Sequence, residues 1–387
     1  MKTIAKILSM VMVICLVACC FTGCGSNYTA DNTEFVIGVS GPLTGGAAVY
    51  GVAVQNSAQM AVDEINAAGG LNGVKFKLMA TDDMHDASKV AANYANMLES
   101  GMQVSLGTVT TAPGLEYTKL SNEDNVFFLT PSASGDKIPE FENGFQMCFA
   151  DGNQGKVAAD YVNSTGLKKI GVFYKSDDAY SNGIFKQFKE NLDKSIETVE
   201  AVFTDANATD FSSQITTLKE CSFIFMPIYY GPASVFLTQA KDIIAKDAIY
   251  YGCDGFDGLA GQFEDFSVIP QEVSMLSHFD SNAKEGAAAD FIKKYTDKFG
   301  TETLNQFGAS AYDCVYAIFN AMKAAIDAGE KIDVTISASD LCDILKEQFT
   351  GDFTYSGVTG NDISWEDNGY VAKEAVKYTL KTANSAK

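Results

Sequence analysis

The sequence predicts an α/β fold made of two doubly wound parallel-sheet lobes with a cleft between them. Apolar strand-like runs alternate with helical stretches through most of the 387 residues, which is the pattern of βαβ units on a parallel sheet. The alternation restarts near residue 151, where a new apolar run at 169–174 resembles another first strand. Two successive halves of this kind imply two lobes, and ligands commonly bind between lobes.

Hydroxyl-bearing turns follow both predicted strands of the stretch 104–136. The strand at 104–107 is followed by the turn 108–111, and the strand at 127–129 by the turn 130–134. Ligands of open α/β sheets bind outside the carboxyl ends of strands, and neither turn has a Gly-rich phosphate pattern. We therefore expect a small polar ligand; the alternative is that the hydroxyls only cap helices. The hydroxyl residues are Thr110, Thr111, Ser132 and Ser134.

The first half of the chain gives a regular series of predicted elements. A polar segment at 26–33 precedes an apolar strand, and the first helix is ended by two glycines. The predicted elements are a strand at 35–39, a helix at 52–67, a strand at 74–80 and a helix at 87–99.

The second half repeats the series and ends in long helical patterns. A β-rich tail at 353–376 contains an Asp-Asn-Gly turn at 367–369. The remaining predicted strands are 145–150, 169–174, 198–203, 222–226 and 248–251; the helices start at 154, 181, 233, 283 and 309, with a capped helix near Ser339 and Asp340.

The charged residues narrow the choice of ligand. All 28 basic residues are lysine, and the formal net charge is −21. Nucleic-acid binding is not expected, because phosphate contacts need basic patches. Arginine is the usual bidentate partner of carboxylates. An anionic group bound here must therefore rely on helix N-termini, backbone N–H groups, hydroxyls or lysine.

The first 26 residues predict a secretory leader rather than part of the fold. Lys2 and Lys6 precede an apolar run at 7–17 that is too short for a confident membrane span. Cys24 and Cys19 each lie at a position similar to the lipidated cysteine of bacterial lipoproteins. We favour Cys24, with Cys19 as the alternative, and a secreted protein cut without lipid as a third reading.

Catalytic and metal-binding motifs are lacking in the sequence. It contains no G-x-S-x-G, H-E-x-x-H, G-x-x-x-x-G-K-[ST] or C-x-x-C pattern, so we expect neither an enzyme nor a cofactor. The five cysteines after Cys24 are odd in number and far apart, and are predicted to be buried thiols. Asp82 and Asp83 are expected to cap the next helix, and the isolated His85 and His278 to lie on the surface.

Several motifs together resemble one known family. FVIGVSGPLTGGAAVYG, AVDEINAAGGLNG, TVTTAPG, FFLTPSASG, DDAYSNG, MPIYYGPA, GCDG and FTYSGVTGNDISW occur in this order over nearly the full mature length. They resemble the leucine/isoleucine/valine-binding family of type I periplasmic substrate-binding proteins, which serve ABC importers of hydrophobic amino acids. The combination of INAAGGLNG, TPSAS and SGVTG is the specific part of this resemblance.

The resemblance implies a type I periplasmic binding protein fold, in which three chain crossings join the lobes. The leader and the polar segment after it predict a lipoprotein signal peptide at 1–24 and a tether at 25–33. One lobe would contain 34–150 plus 278–335, and the other 151–277 plus 336–387.

The resemblance also implies a set of ligand contacts. The α-carboxylate site falls on Thr111, Ser132 and Ser134, and the ammonium side on Tyr229 and Asp254. The latter is an aspartate where the family commonly has glutamate. A family cysteine pair is replaced by His85 and Thr110. The full predicted ligand-binding set is Tyr50, Thr110, Thr111, Ser132, Ala133, Ser134, Tyr180, Tyr229 and Asp254.

We therefore expect a monomeric, lipid-anchored, extracytoplasmic protein that binds a free amino acid and delivers it to ABC permease subunits in the membrane. A branched-chain or other hydrophobic amino acid is favoured. One alternative keeps the clamp but binds an amide, a urea-like compound or an aromatic acid. Another is a ligand-sensing receptor without transport, and an α/β enzyme is a distant third.

Overall fold

Residues 32–204 and 209–382 are described by the computed structural model, and their strands form two sheets. Cys19, Cys24 and most of the predicted tether lie outside the described residues. The first sheet has the order β2-β1-β3-β4-β5 and the second β11-β10-β9-β8-β6-β7. The strands are β1 (Phe35–Gly41), β2 (Phe76–Asp82), β3 (Val104–Thr108), β4 (Phe128–Thr130), β5 (Gly144–Gln146), β6 (Lys169–Lys175), β7 (Glu197–Phe203), β8 (Phe223–Met226), β9 (Ile249–Gly252), β10 (Glu272–Ser277) and β11 (Val376–Lys381).

Helices follow most of these strands and cover the sheets. The first helix begins four residues before the predicted start, and its buried side includes Tyr50, Val54, Ala58, Ala61 and Ile65. The helices are α1 (Ala48–Ala67), α2 (Val90–Glu99), α3 (Thr111–Glu123), α4 (Asp151–Thr165), α5 (Ala179–Asn191), α6 (Ser212–Leu218), α7 (Tyr230–Ala240), α8 (Gly286–Phe299), α9 (Gln306–Ala328) and α10 (Ala338–Thr350).

Strand pairing within both sheets is parallel, except that β11 pairs antiparallel with β10 at an edge. In the first sheet β1 lies between β2 and β3, and in the second β6 lies between β7 and β8. Each sheet therefore reverses its strand order at one place, between β1 and β3 or between β6 and β8. Such a topological switch point opens a crevice at the carboxyl ends of the strands. The predicted fold of two doubly wound lobes is confirmed.

The chain passes between the two sheets after β5, after β10 and again before β11. Lys373 in the last crossing donates through Nζ to the Met147 carbonyl of the first, at 2.9 Å. The Phe149 ring of the first crossing packs edge-on against His278 of the second, with ring centroids 5.1 Å apart. The three crossings therefore lie side by side. His278, which the sequence placed on the surface, belongs to this hinge, and its Nε2 lies 2.7 Å from Ser310 Oγ.

The tail corrects the predicted division into lobes, which assigned 336–387 to the second lobe. Phe349 of α10 packs its ring on Phe127 and Phe145 of the first lobe, at 5.0 and 5.3 Å. Trp365 donates through Nε1 to the Gln146 carbonyl at 2.7 Å. The apolar face of α10 is buried against aromatic side chains of the first lobe. Within the described tail, β11 alone joins the second sheet.

Other local predictions were also wrong. The strand expected at 145–150 ends at Gln146, and residues 147–150 instead belong to the first crossing to the second sheet. The tail at 353–376 forms two isolated bridges, Tyr355 to Ile363 and Trp365 to Val371, rather than regular strands. The sequence did not predict β10 or the short α6. In the described part of the chain, no helix combines the length and apolarity needed to cross a membrane.

Candidate ligand site between the two lobes

A small, partly open cavity lies between the carboxyl ends of the two sheets, and the space between its walls is about 220 Å³ when the part open to solvent is counted. Eight of the nine predicted ligand residues line it. The lining residues are Tyr50, Val109, Thr110, Thr111, Ser132, Ser134, Tyr180, Tyr229, Asp254, Gly255 and Phe307.

One end of the cavity is the N-terminus of α3. Thr110 precedes this helix in an extended conformation, and its side chain makes no capping hydrogen bond. Pro113 in the first turn has no N–H. The donors that the start of the helix offers are therefore the N–H groups of Thr111 and Ala112, together with the helix dipole, and this combination favours an anion. In a chain without arginine, this end is suited to a carboxylate.

The second hydroxyl turn contributes unequally to this end. The Ser132 hydroxyl donates to the Val109 carbonyl at 2.7 Å, and its N–H donates to Thr130 Oγ1 at 3.3 Å. Ser132 therefore offers a ligand acceptors rather than donors, which suits an ammonium better than the predicted carboxylate. Ser134 is 2% exposed, and its carbonyl accepts from the Asp151 N–H at 2.8 Å.

Ala133 is the predicted ligand residue that does not line the cavity. Its N–H donates to Thr130 Oγ1 at 3.0 Å, and its carbonyl accepts from Gln146 Nε2 at 3.1 Å. Both of its backbone polar groups therefore already have partners. Its methyl group packs in a buried apolar cluster that includes Tyr117 and Ile138.

The opposite end of the cavity is acidic. Asp254, which follows β9, is 2% exposed, and its Oδ1 accepts from the Tyr180 hydroxyl at 2.6 Å. The same hydroxyl accepts from the Gly255 N–H at 2.9 Å. A Cβ on Gly255 would lie 2.7 Å from Tyr180 Oη and 2.8 Å from the Ile228 carbonyl oxygen. The position after Asp254 therefore requires glycine if the tyrosine is to reach the acid.

Burial changes the pKa values of the carboxyl groups at the acidic end of the cavity. It raises the pKa of Asp254 from 3.8 to about 6, although the hydrogen bonds from Tyr180 and Gln154 lower it. Burial also raises the pKa of Asp151 well above its ordinary value, and the charge of Asp254 adds to this effect. Asp151 Oδ2 has no hydrogen-bond partner among the described residues. A cationic group beside Asp254 would relieve the desolvation and the repulsion between these carboxylates.

Aromatic rings form the wall between the two ends. Tyr229 stacks on Tyr180 with centroids 4.6 Å apart, and Phe307 meets Tyr50 edge-on at 4.8 Å. The Tyr229 hydroxyl is buried and has no partner in the described part of the chain. A buried hydroxyl without a partner is costly, so this group is well suited to hydrogen-bond a ligand. With Val109, the rings of Tyr50 and Phe307 leave an apolar surface for a side chain.

The lobes are in contact around the cavity. Tyr50 of the first lobe donates through its hydroxyl to the Gly255 carbonyl of the second at 2.6 Å. Asp257 of the second lobe accepts from the Gln306 N–H at the start of α9, at 2.9 Å. These hydrogen bonds join the two lobes directly. Among the described residues, the covalent connection between the lobes is through the three crossings. The arrangement is that of a closed clamp.

The acidic loop after β2 does not cap the next helix as predicted. Asp82 accepts from the Leu43 and Met84 N–H groups, and Asp83 from the Ser40 hydroxyl and the His85 N–H. The cap of the short 3₁₀ helix Ala87–Lys89 is instead Asp86. Both aspartates therefore fix loops beside the cleft.

The histidine of this loop is also not on the open surface. The His85 ring lies against Tyr229 of the other lobe, and its Nδ1 is 2.9 Å from Thr110 Oγ1. His85 and Thr110, the positions at which the resemblance implies a family cysteine pair, are therefore in contact.

The five cysteines in the described part of the chain are free and buried, as predicted. In residues 32–204 and 209–382, no group of three or more His, Cys, Asp or Glu side chains is arranged to hold a metal ion.

Sequence reasoning missed Val109, Gly255 and Phe307. Val109 and Gly255 adjoin predicted residues, so the hydroxyl turn and the motif GCDG could have indicated them. Phe307 lies in the first turn of α9, over 170 residues after the hydroxyl turns. No local pattern marks it, because its place in the cavity depends on how α9 packs against α1.

Two doubly wound lobes with three crossings and a cavity at both switch points define a two-lobed solute-binding protein. Residues 34–373 match the periplasmic binding protein family, and the chain belongs to that family. The resemblance seen in the sequence is thus confirmed. Membership of this family implies a location outside the cytoplasm.

Curated relatives carry names of the same kind. The Leu/Ile/Val-binding protein homolog 3 of Brucella melitensis is 28% identical over 362 residues, covering 89% of this chain and 95% of the relative. The Leu/Ile/Val-binding protein BraC3 of Rhizobium johnstonii is 29% identical over 360 residues, with coverage of 89% and 95%.

Solved structures show the same fold. The branched-chain amino acid transporter substrate-binding protein LivJ of Streptococcus pneumoniae, in complex with isoleucine, has a TM-score of 0.79 and 27% identity, covering 91% of this chain and 97% of LivJ. A solute-binding protein of Rhodopseudomonas palustris in complex with benzoate has a TM-score of 0.75 and 17% identity, with coverage of 91% and 95%. The second likeness concerns the fold alone.

Proposed function

We propose that this protein is the substrate-binding component of an ABC importer and closes on a free amino acid with an apolar side chain. The observation that carries this proposal is a cavity with a helix N-terminus and hydroxyls at one end and a buried acid at the other. A zwitterion matches both ends, because its carboxylate meets the donors and its ammonium meets Asp254. The apolar wall of Tyr50, Val109 and Phe307 would receive the side chain.

Each proposed contact has a stated partner. The carboxylate would accept from Thr110, Thr111 and Ser134 and from the N–H groups at the start of α3. The ammonium would donate to Asp254 and Tyr229. The bound isoleucine of the Streptococcus pneumoniae relative supports a branched-chain ligand. The ligand would contact both lobes, so it would stabilise the closed arrangement over an open one.

A thermal-shift screen of residues 26–387 tests the ligand class. The mature protein is mixed with the free amino acids and, separately, with amides, urea-like compounds, sugars and aromatic acids. A ligand that binds only the folded state raises the melting temperature by mass action. We expect stabilisation by α-amino acids that share an apolar side chain. If only solutes without an ammonium stabilise the protein, the amino-acid proposal fails and a different solute occupies the clamp.

We also propose that Cys24 is lipidated and anchors the protein to the membrane. The basis is the leader with its cysteine-rich end. The test is metabolic labelling of the full chain with a fatty acid in a bacterial host, comparing Cys24→Ser with the matched Cys19→Ser. Loss of label and release of the protein in the first variant alone supports Cys24. The same result in the second variant alone assigns the anchor to Cys19.

A second experiment separates transport from sensing. The gene is deleted in its host, and uptake of the labelled amino acid found in the screen is measured. Loss of uptake that is restored by the wild-type chain supports the importer. Unchanged uptake would favour a receptor that reports the ligand to another protein.

A further inference from the structure

His85 connects the hydroxyl end of the cavity to the opposite lobe. Its Nδ1 lies 2.9 Å from Thr110 Oγ1, and its ring meets Tyr229 edge-on with centroids 5.1 Å apart. Tyr229 in turn stacks on Tyr180, whose hydroxyl donates to Asp254. The contacts therefore run from the proposed carboxylate site to the proposed ammonium site through one histidine.

The backbone holds this histidine firmly in place. His85 has a φ of 61°, in the left-handed region that few residues other than glycine adopt. Its N–H donates to Asp83 Oδ1 at 2.9 Å, and Asp83 Oδ2 accepts from the Ser40 hydroxyl at 3.1 Å. The loop is therefore anchored to the end of β1. A strained backbone that is fixed in this way is typical of functional sites.

The Thr110 hydroxyl has a single proton, and His85 decides where that proton goes. If Nδ1 has no proton, it accepts from Thr110, which then presents only lone pairs to the cavity. If Nδ1 carries a proton, it donates to Thr110 Oγ1 and leaves the hydroxyl proton free. Thr110 makes no capping bond to α3 that would compete. Only the second arrangement lets Thr110 donate to a carboxylate.

We infer that His85 is a positioning residue of the ligand site: it donates through Nδ1–H to Thr110 Oγ1 and so directs the Thr110 hydroxyl proton to the ligand carboxylate. This inference rests on the proposed amino-acid ligand. Burial lowers the pKa of His85, as does Lys175, whereas Asp178 and Asp86 raise it. A lowered pKa favours the neutral ring at pH 7.5, so the tautomer of that ring is the variable to measure.

Nitrogen NMR reads this tautomer directly. The sequence contains two histidines, so His278→Asn in ¹⁵N-histidine-labelled protein assigns the remaining ring to His85. Spectra are recorded at pH 7.5 with and without saturating L-isoleucine, and binding is measured on the same sample by calorimetry. We expect a proton on Nδ1 in the complex. Binding with a bare Nδ1 overturns the inference and leaves the proposed function intact. Absence of binding by every α-amino acid with an apolar side chain overturns the proposed function, and the inference with it.

A double-mutant cycle tests whether His85 acts through Thr110. His85→Phe keeps a ring against Tyr229 but has no nitrogen, and Thr110→Val keeps the shape but has no hydroxyl. We expect each change to weaken L-isoleucine binding roughly 5- to 30-fold, and the double variant to be no weaker than the weaker single variant. Additive losses would mean that His85 contributes only packing, which overturns the inference.

A conservative replacement provides the rescue. Asparagine tolerates the left-handed backbone of position 85 and carries an amide N–H that can donate to Thr110. His85→Asn should recover much of the affinity that His85→Phe loses. Equal losses in both variants would contradict a role for the donated hydrogen bond.

Discussion

Replacing Asp254 by asparagine is expected to stabilise the unliganded protein and at the same time to weaken its binding of an amino acid. The side chain is 2% exposed, and burial raises its pKa from 3.8 to about 6. At pH 7.5 the acid is ionised in the folded and the unfolded chain. The pKa difference then corresponds to roughly 3 kcal/mol lost from the free energy of unfolding. Asparagine is uncharged and still accepts from Tyr180, so we expect a gain of roughly 1–3 kcal/mol.

The sign of this effect depends on pH. Well below pH 3.8, Asp254 is protonated in the folded and the unfolded chain, so its burial as an ion takes nothing from the free energy of unfolding. As pH rises from 3.8 to about 6 the unfolded chain releases its proton first, so wild-type stability falls. The advantage of Asp254→Asn should therefore grow across this interval and stay constant above it. Asp83 also has a pKa of about 6, but it occurs in both proteins and cancels in the difference. The charge of Asp254 raises the pKa values of Asp151 and Asp257, so both should titrate at lower pH in the variant.

Ligand affinity should change in the opposite direction. The ammonium would lose a charge-assisted hydrogen bond worth roughly 1.5–3 kcal/mol, which weakens binding roughly 10- to 150-fold. The measurements are urea unfolding without ligand at several pH values and calorimetry with L-isoleucine. Tyr180→Phe is the matched variant: it keeps the acid but removes a donor that lowers its pKa, so it should destabilise the unliganded protein. If Asp254→Asn is less stable at pH 7.5, or binds the ligand as the wild type does, the reasoning is refuted.

The remaining predictions concern the hydroxyl turn, one glycine and the tail. Ser134→Ala should weaken ligand binding roughly 5- to 30-fold, as measured by calorimetry. Ser132→Ala should chiefly lower the free energy of unfolding in urea, by about 1 kcal/mol, because the Ser132 hydroxyl already donates to a backbone carbonyl. Equal losses of affinity in the two variants would contradict these different roles of the two serines. Gly255→Ala places a Cβ 2.7 Å from a tyrosine hydroxyl and should destabilise the protein by roughly 1–3 kcal/mol, whereas Gly261→Ala, which meets nothing within 4 Å, should not. Phe349→Ala should cost roughly 3–5 kcal/mol, and a cost below about 1 kcal/mol would argue against the burial of α10 on the first sheet.

Much of the candidate site could be predicted because it lies in loops at fixed places of the topology. Thr110 and Thr111 follow β3, Tyr180 follows β6 and Tyr229 follows β8. Parallel strands bring their carboxyl ends to one edge of the sheet. A polar or aromatic loop residue directly after a predicted strand is therefore placed near the cavity by local pattern alone. Ala133, in the turn after β4, does not line the cavity, because the pattern does not show which way a residue of a turn faces.

The parts that could not be predicted depend on packing between distant segments. Residues 336–387 were assigned to the second lobe, but the apolar face of α10 packs on aromatic rings of the first. The two histidines were placed on the surface, although each packs its ring against an aromatic side chain from another segment. The local hydrophobic pattern of the sequence predicts neither outcome, because the burial of these residues depends on which apolar faces pack together in the folded chain.

The sequence by itself determined the α/β class, the restart near residue 151 and the lack of arginine, without which any bound anion would rely on hydroxyls, backbone N–H groups or lysine. These follow from hydrophobic periodicity and from side-chain chemistry, both of which are local. Tertiary structure alone decided that Phe307 lines the cavity, that the Ser132 hydroxyl donates to the Val109 carbonyl and that His85 contacts Thr110. The physical reason is that hydrogen bonds and burial are settled only when segments far apart in the chain come together.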